Sequence, residues 1–404
     1  MNILYIDHYA GSLEMGMEFR PYYLAKEWIK QGHRVRILGA SYSHLRTKNP
    51  IIKNDFEKQI IDGVEYQWVE TGRYHGNGIA RAMTMFQFTY KVYSYSKKIV
   101  NDFSPNVVIT SSTYPLDTYA GQKIASLANA KLIHENHDLW PLTLETIGGM
   151  SKYHPFCILL GCALKSAIKN SNHIVCVLPY ANEYFQKYGL EDSKKFTHIP
   201  NGVALDDWQY VQELPTEHRE LFLKLKDKTI IGYVGGHAVS NALDTFIECS
   251  KNFDEKVAFV LVGKGIEKKA LIEKVKTLRV NNVFFLPPVS KKQIPAILAE
   301  MTAVYVGSKK SELLKYGASL NKLYDYMMAA KPIIYGVDSR NKEVIDANCG
   351  YVVEPESVSS LSEAIGNIVN DTKILSEMGN SGRKWVIENC EYSALANKFL
   401  NCIK

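Results

Sequence analysis

No two of the seven cysteines form a CxxC pair, and none stands at Cys/His metal spacing. Their odd number and scatter read as reduced thiols of a cytosolic protein, not as a disulfide framework. No apolar run approaches the ~18 residues that span a bilayer; the longest, PFCILLGCAL, stops at Lys165. The opening MNILYIDHYAG starts directly with a strand pattern and lacks a basic-then-apolar leader. There are no internal repeats and no low-complexity tracts. Gly263 and Gly265 are followed by Lys268 where a third glycine would complete G-x-G-x-x-G, so a nicotinamide fingerprint fails. A phosphate loop of the form G-x-x-x-x-G-K-[ST] is missing, HENH is not HExxH, and no Ser-His-Asp order accompanies it. These gaps exclude a P-loop nucleotidase and disfavour dinucleotide redox and metal hydrolysis.

What remains is a globular composition, 46% hydrophobic and 22% charged. A chain of 404 residues suits two domains of about 200 residues each. The net charge is +6, with 22 Lys+Arg against 17 Asp+Glu in residues 1–200 and 26 against 25 in the rest. This mild surplus in the first half suits an anionic surface or substrate better than nucleic acid.

Strand and helix patterns alternate along both halves. NILYID, RVRILGA, VVITSS, KLIHEN and HIVCVL read as strands, with a loop over 11–18 and a helix from about Arg20 to Gln31 after the first. Pro21 in the first turn and Gly32 past the end fit the capping asymmetry of helices. After residue 200, TIIGYVG, VAFVLVG, NVFFLP, AVYVGS, PIIYGV and YVVEP repeat the alternation. The fold class is therefore α/β, two Rossmann-like doubly wound domains facing each other across a cleft. The boundaries expected are 1–200 and 201–381, joined near the turn Pro200-Asn201-Gly202. A last helix over about 382–404 belongs to either, or packs back on the first.

Ligands of open α/β sheets lie at the carboxyl ends of the strands. Gly16 precedes the first helix and is either a flexible turn or a close approach to an anion. Tyr114 follows VVITSS. His134, Glu135, His137 and Asp138 crowd the end of KLIHEN, and so many ionisable groups at one strand exit mark a site. Gly235 and Gly236 in YVGGH, and the glycines around Lys264 in LVGKG, follow two further strands. In SLNKLYDYMMAAKPII, Ser319 or Asn321 can cap a helix whose amides and dipole favour an anion. Lys322 adds a cation there, and Asp325 lies on the same face. A diphosphate at the helix start puts a ribose within reach of Asp325; the plainer alternative is a surface ion pair.

Together GMEFRPYYLAKEWIKQGHRVRIL (16–38), HDLWP (137–141), HIPNGVALDDW (198–208), YVGG, LVGKG and SLNKLYDYMMAAKPII (319–334) resemble the retaining GT-B nucleotide-sugar glycosyltransferases of family 4. The HDLWP and NKLYDYM forms are similar to the branch that builds bacterial surface polysaccharides. The resemblance implies transfer of a sugar from UDP- or GDP-sugar to a glycan or polyprenyl-diphosphate-linked acceptor, with no cofactor and no metal; the lack of an Asp-x-Asp triplet agrees. It implies His137, Asp138 and Lys322 as catalytic. It implies Gly16, Gly235, Gly236, Lys264, Ser319, Asn321, Lys322 and Asp325 around the donor, and Tyr114, His134 and Glu135 on the acceptor side. Asp325 matches the second glutamate of the family's E-x7-E motif, while Gly317 replaces the first and Glu312 is out of register. His237 and Asn241 stand where basic residues commonly follow YVGG, leaving Lys322 and Lys264 or Lys309 for phosphate. The missing glutamate keeps open a catalytically silent nucleotide-binding subunit, and the scaffold also serves nucleotide-sugar 2-epimerases.

From Thr71 to Asn101, and again from Thr146 to Asn182, the chain has no Asp or Glu. In the first stretch Arg73, Arg81, Lys91, Lys97 and Lys98 alternate with Met83, Met85, Phe86, Phe88, Tyr90, Tyr93 and Tyr95. Either these form a basic, aromatic surface for an anionic membrane face, or the aromatics line the core.

Overall fold

The computed structural model describes residues 1–17, 19–76, 78–371 and 373–403. Glu18, at the end of the expected loop 11–18, and Lys404, at the end of the expected last helix, lie outside them. The chain divides into two compact units. The first comprises Met1–Pro200, Tyr316–Ser319 and the residues from Tyr392 onward; the second comprises Asn201–Lys315 and Leu320–Glu391.

The first unit is built on an eight-stranded sheet. Its strands are β1 (Asn2–Ile6), β2 (Arg34–Ala40), β3 (Glu57–Ile61), β4 (Val64–Val69), β5 (Val107–Thr110), β6 (Lys131–Asn136), β7 (His173–Cys176) and β8 (Phe196–His198). The order is β3-β4-β2-β1-β5-β6-β7-β8, parallel except for the β3–β4 hairpin. That hairpin is absent from the sequence reading. It turns on Asp62 and Gly63, both at positive φ (49° and 83°), the backbone that favours Asp-Gly in two-residue turns. β1 lies between β2 and β5, where the order of winding reverses, and such switch points open a crevice at the strand ends.

The second unit holds six parallel strands: β9 (Thr229–Val234), β10 (Val257–Val262), β11 (Val283–Leu286), β12 (Ala303–Gly307), β13 (Ile333–Gly336) and β14 (Gly350–Val352). Their order is β11-β10-β9-β12-β13-β14, with the switch point beside β9. Every residue of β10 and β12 is buried, as helices on both faces of a parallel sheet require. The two units are thus Rossmann-like α/β domains.

The helix Arg20–Lys30 carries Pro21 in its first turn, and Gly32 follows it at φ +81°. It receives the helix Tyr392–Asn401 on its flank. The indole of Trp28 donates to the Ala396 carbonyl (3.1 Å) and meets Phe399 edge-on, while Tyr23 stacks on Tyr392 at 4.7 Å. In place of one helix over 382–404 there are two, Lys373–Cys390 and Tyr392–Asn401. The break falls at Glu391, which bridges to Val203 in strand fashion and so leaves the helical path.

In the second unit the helix Asn321–Met328 is pinned to β9. The Tyr326 hydroxyl accepts from the Val234 amide (2.7 Å) and donates to its carbonyl (3.1 Å). The helix Lys373–Cys390 packs on its other side. There a Cβ at Gly379 would stand 2.0 Å from the Ala330 carbonyl oxygen. Gly379→Ala should therefore wedge the two helices apart and cost about 1–3 kcal/mol. Thermal unfolding measures it, and an unchanged Tm would show that the contact yields freely.

Candidate functional site

Each unit gathers its polar residues at the strand ends beside its own switch point. In the first unit Glu135 and His137 end β6, and Ser111 follows β5. Glu135 is fully buried and Arg20 is 4% exposed. The Arg20 Nε donates to Glu135 Oε1 at 2.8 Å, and its terminal nitrogens donate to the carbonyls of Pro200 and Ile199. Glu135 Oε2 accepts from Ser111 Oγ (2.6 Å) and from the Tyr5 hydroxyl. His137 Nε2 lies 2.6 Å from Ser111 Oγ and 3.4 Å from Glu135 Oε2. Burial alone would raise the Glu135 pKa, but Arg20 and then His137 hold it well below the usual carboxylate range. Burial alone would lower that of His137, and Glu135 raises it instead.

Asp138 turns away from this chain of bonds. Its carboxylate accepts from the Leu139 amide (2.8 Å), the Trp140 indole (3.0 Å) and the Thr143 hydroxyl, so it shapes the HDLWP turn. Burial raises its pKa. The acceptor-side expectations fare differently from what the sequence implies, because Tyr114, His134 and Glu135 are all buried. Tyr114 bonds to His8 Nδ1 at 2.6 Å. His134 bonds to Thr110 at 3.1 Å, and burial takes its pKa down to about 4. β6 is covered on both faces and hides His134 and Glu135 whichever way they point, and Tyr114, beyond the end of β5, is buried as well, so these three support the site from behind. Gly16 sits at φ +87°, and a Cβ there would stand 2.4 Å from Thr47 Oγ1, so both backbone and space demand glycine.

In the second unit β9 and β10 end on glycines packed backbone to backbone. A Cβ at Gly263 would lie 2.0 Å from the Gly235 carbonyl oxygen, and one at Gly265 2.2 Å from that of His237. Lys322 reaches these strand ends from the helix Asn321–Met328. Its Nζ donates to Asn241 Oδ1 (2.6 Å) and to the Tyr233 hydroxyl (3.0 Å), and lies 4.7 Å from the Tyr233 ring centre. Both Tyr233 and Asn241 are in turn fixed on the Gly236 carbonyl (2.7 and 2.8 Å). Among the described residues no carboxylate pairs with Lys322, and burial brings its pKa down to about 8.

His237 supplies no charge in place of a basic residue. It is fully buried, neither ring nitrogen has a partner, and burial, then Lys268 and Lys322, take its pKa to about 4. Asn241 instead aims Lys322. The Lys264 side chain is exposed, while Lys309 is engaged by Asp244 (2.8 Å) and Glu356 (2.9 Å). The cap position is Leu320, not Ser319 or Asn321, and it has no side-chain bond; the Leu323 amide donates back to the Leu320 carbonyl (2.9 Å). Asp325 does not pair with Lys322 one turn away. Lys291, from the loop after β11, grips both its oxygens at 2.6 and 2.7 Å. Gly317 lies at φ +96°, a backbone on which glutamate would be strained, which accounts for glycine at that place. Glu312 is a surface residue paired with Lys315. Among the described residues no group of His, Cys, Asp or Glu side chains is placed to hold a metal ion.

Sequence reasoning missed Arg20, Ser111, Tyr233 and Lys291 as parts of these sites. Arg20 and Ser111 lie inside quoted motifs, and a charged residue in a buried helix turn was the available signal. Lys291 carried none.

The family model described as Glycosyltransferase Family 4 matches residues 15–207, and that described as Glycosyl transferases group 1 matches residues 216–385. A GDP-mannose-dependent alpha-(1-6)-phosphatidylinositol monomannoside mannosyltransferase of Mycolicibacterium smegmatis is 23% identical over 237 residues, 57% of this chain and 61% of that protein. Among solved structures, sucrose-phosphate synthase from Thermosynechococcus elongatus superposes with TM-score 0.76 at 16% identity, over 99% of this chain and 97% of that one. HepE of Anabaena in complex with UDP gives 0.69 at 13%, over 99% of each.

The lone ammonium of Lys322 is directly testable. Side-chain NMR should give it a titration midpoint near 8, and saturating pyrophosphate should raise that midpoint, because an adjacent anion favours the charged form. A midpoint indifferent to pyrophosphate would show that no anion binds there.

Proposed function

The chain is a glycosyltransferase, matched by glycosyltransferase models over both halves, and we propose that it moves a sugar from a nucleoside diphosphate to a hydroxyl with retention of configuration. The observation that carries this reading is Lys322: a half-buried cation held by two neutral oxygens, with no counter-ion among the described residues. An anion is what such a group lacks. The departing diphosphate meets that need, and the charge that grows on it in the transition state is stabilised by Lys322 and the positive end of its helix. Asp325, steadied by Lys291, accepts the ribose hydroxyls. UDP and GDP are the candidate carriers, in line with the UDP held by HepE and the GDP-mannose used by the mycobacterial relative. Departure of the diphosphate and attack on the same face of the sugar give retention without a covalent intermediate.

Lys322→Ala should lower kcat by roughly 10²–10³ while the protein stays folded; near-normal turnover would remove Lys322 from the chemistry. A thermal-shift panel of UDP, GDP and their sugars identifies the base. Release of UDP or GDP in the presence of candidate acceptors separates a transferase from a silent nucleotide-binding subunit, the reading that Gly317 in place of a glutamate favours.

The acceptor we propose is a glycan or polyprenyl-diphosphate-linked sugar at an anionic membrane face, in surface polysaccharide synthesis. Among the described residues no helix is long and apolar enough to cross a membrane. The helix Ile79–Phe103 divides its apolar side chains: Met85 and Phe88 are buried, while Met83 is 60% and Tyr90 72% exposed on a helix that also carries the exposed Lys97 and Lys98. The exposed set matches what headgroups attract. Binding to anionic vesicles should be strong at low salt and lost at high salt, as pelleting reads out; no binding at low salt would overturn the membrane assignment.

A further inference from the structure

The bonds around Glu135 have a direction. Glu135 is ionised, so it accepts only. Its Oε1 is taken by Arg20 and its Oε2 by Ser111 and Tyr5, with His137 Nε2 also 3.4 Å from Oε2. The Tyr5 hydroxyl, 3.0 Å from Ser111 Oγ, gives its own hydrogen to Oε2 and leaves that of Ser111 for the carboxylate. A serine hydroxyl has one hydrogen, and that of Ser111 points to Glu135 Oε2 over 2.6 Å. Ser111 Oγ therefore meets His137 Nε2, also at 2.6 Å, with a lone pair. For that contact to be a hydrogen bond, Nε2 must carry the hydrogen. The second ring nitrogen, Nδ1, has no partner among the described residues, and the His137 side chain is 18% exposed.

We propose that Glu135, acting through Ser111, is a positioning residue that fixes His137 as its Nε2–H tautomer and leaves Nδ1 as the nitrogen that addresses a sugar hydroxyl. The neutral ring then accepts a hydrogen bond at Nδ1, and the charged ring donates one. Arg20 completes the device by keeping Glu135 ionised and by holding Oε1 away from the relay. Nothing in the sugar-transfer reading requires this polarity; only the role of Nδ1 toward a substrate rests on that reading.

The polarity can be reversed by one isosteric change. In Glu135→Gln the amide oxygen is retained by Arg20, which needs an acceptor, so the amide NH2 falls on the Ser111 side. Ser111 then accepts from Gln and has its own hydrogen free for His137 Nε2. The tautomer inverts to Nδ1–H.

Long-range 15N–1H NMR of histidine-labelled, full-length protein reads the tautomer with no substrate present, at a pH above the titration midpoint that the same spectra give for His137. The wild type should show Nε2–H with a hydrogen-bonded, slowly exchanging proton. Glu135→Gln should show Nδ1–H, and turnover should fall roughly tenfold or more while nucleotide binding by the second unit is unchanged. Ser111→Ala should lose the slowly exchanging proton. A wild type that is predominantly Nδ1–H, or a folded Glu135→Gln that keeps Nε2–H, overturns the proposal. Should Glu135→Gln not fold, the wild-type and Ser111→Ala spectra decide. If the tautomer inverts and turnover does not change, the relay stands and the role of Nδ1 in transfer falls, whatever the donor proves to be.

Discussion

The buried pair Arg20–Glu135 is the constraint on which the first unit's functional end rests. Taking two charges out of water is costly, and removing one partner of such a pair leaves the other stranded at about 3–5 kcal/mol. The protein meets that cost with a full complement of bonds: Arg20 also holds the carbonyls of Ile199 and Pro200, and Glu135 also serves Ser111, Tyr5 and His137. The first strand, the first helix, the ends of β5 and β6 and the residues where the chain leaves the unit are thereby tied to one carboxylate. Charge is balanced within this pair, and among the described residues the far nitrogen of His137 takes no partner from its bonds.

The second unit solves the opposite problem. Its carboxylate, Asp325, is neutralised by Lys291, whereas its most sheltered site cation is not neutralised at all. Tyr233 and Asn241 orient the Lys322 ammonium without cancelling it, since both are neutral. Burial weakens its charged form, and the glycine turns beside it leave backbone close at hand. A positive site kept short of counter-charge is poised for a ligand that brings its own. That division between a balanced unit and an unbalanced one is what the transferase reading explains.

The sheets were legible because parallel strands buried on both faces leave apolar runs, as VAFVLV does for β10, and even KLIHEN and RVRILGA, with charged residues among them, match β6 and β2 residue for residue. The β3–β4 hairpin escaped because EKQII is a half-exposed edge strand with little apolar signal, although Asp62-Gly63 announced the turn. Lys322 and Asp325 were visible as a helix start, but not their partners. Asn241 and Lys291 stand 81 and 34 residues away along the chain, and only the folded sheet brings them near. Helical spacing put Lys322 and Asp325 on one face and could not say that each would turn to a different neighbour. Similarly, the polar crowding at His134–Asp138 marked the right strand end but not which side chains the covering helices would hide.

The return of the chain to its first unit shapes how the protein can be made. Trp28 and Tyr23 both have partners in the helix Tyr392–Asn401, and the second unit is spelled out between them. During synthesis the first sheet can assemble while the flank of its first helix remains bare. The helix that covers it is made only after the whole of the second unit. A chain cut short before Tyr392 would leave the Trp28 indole without that cover, and exposed apolar surface of this kind makes a partly folded chain prone to aggregate.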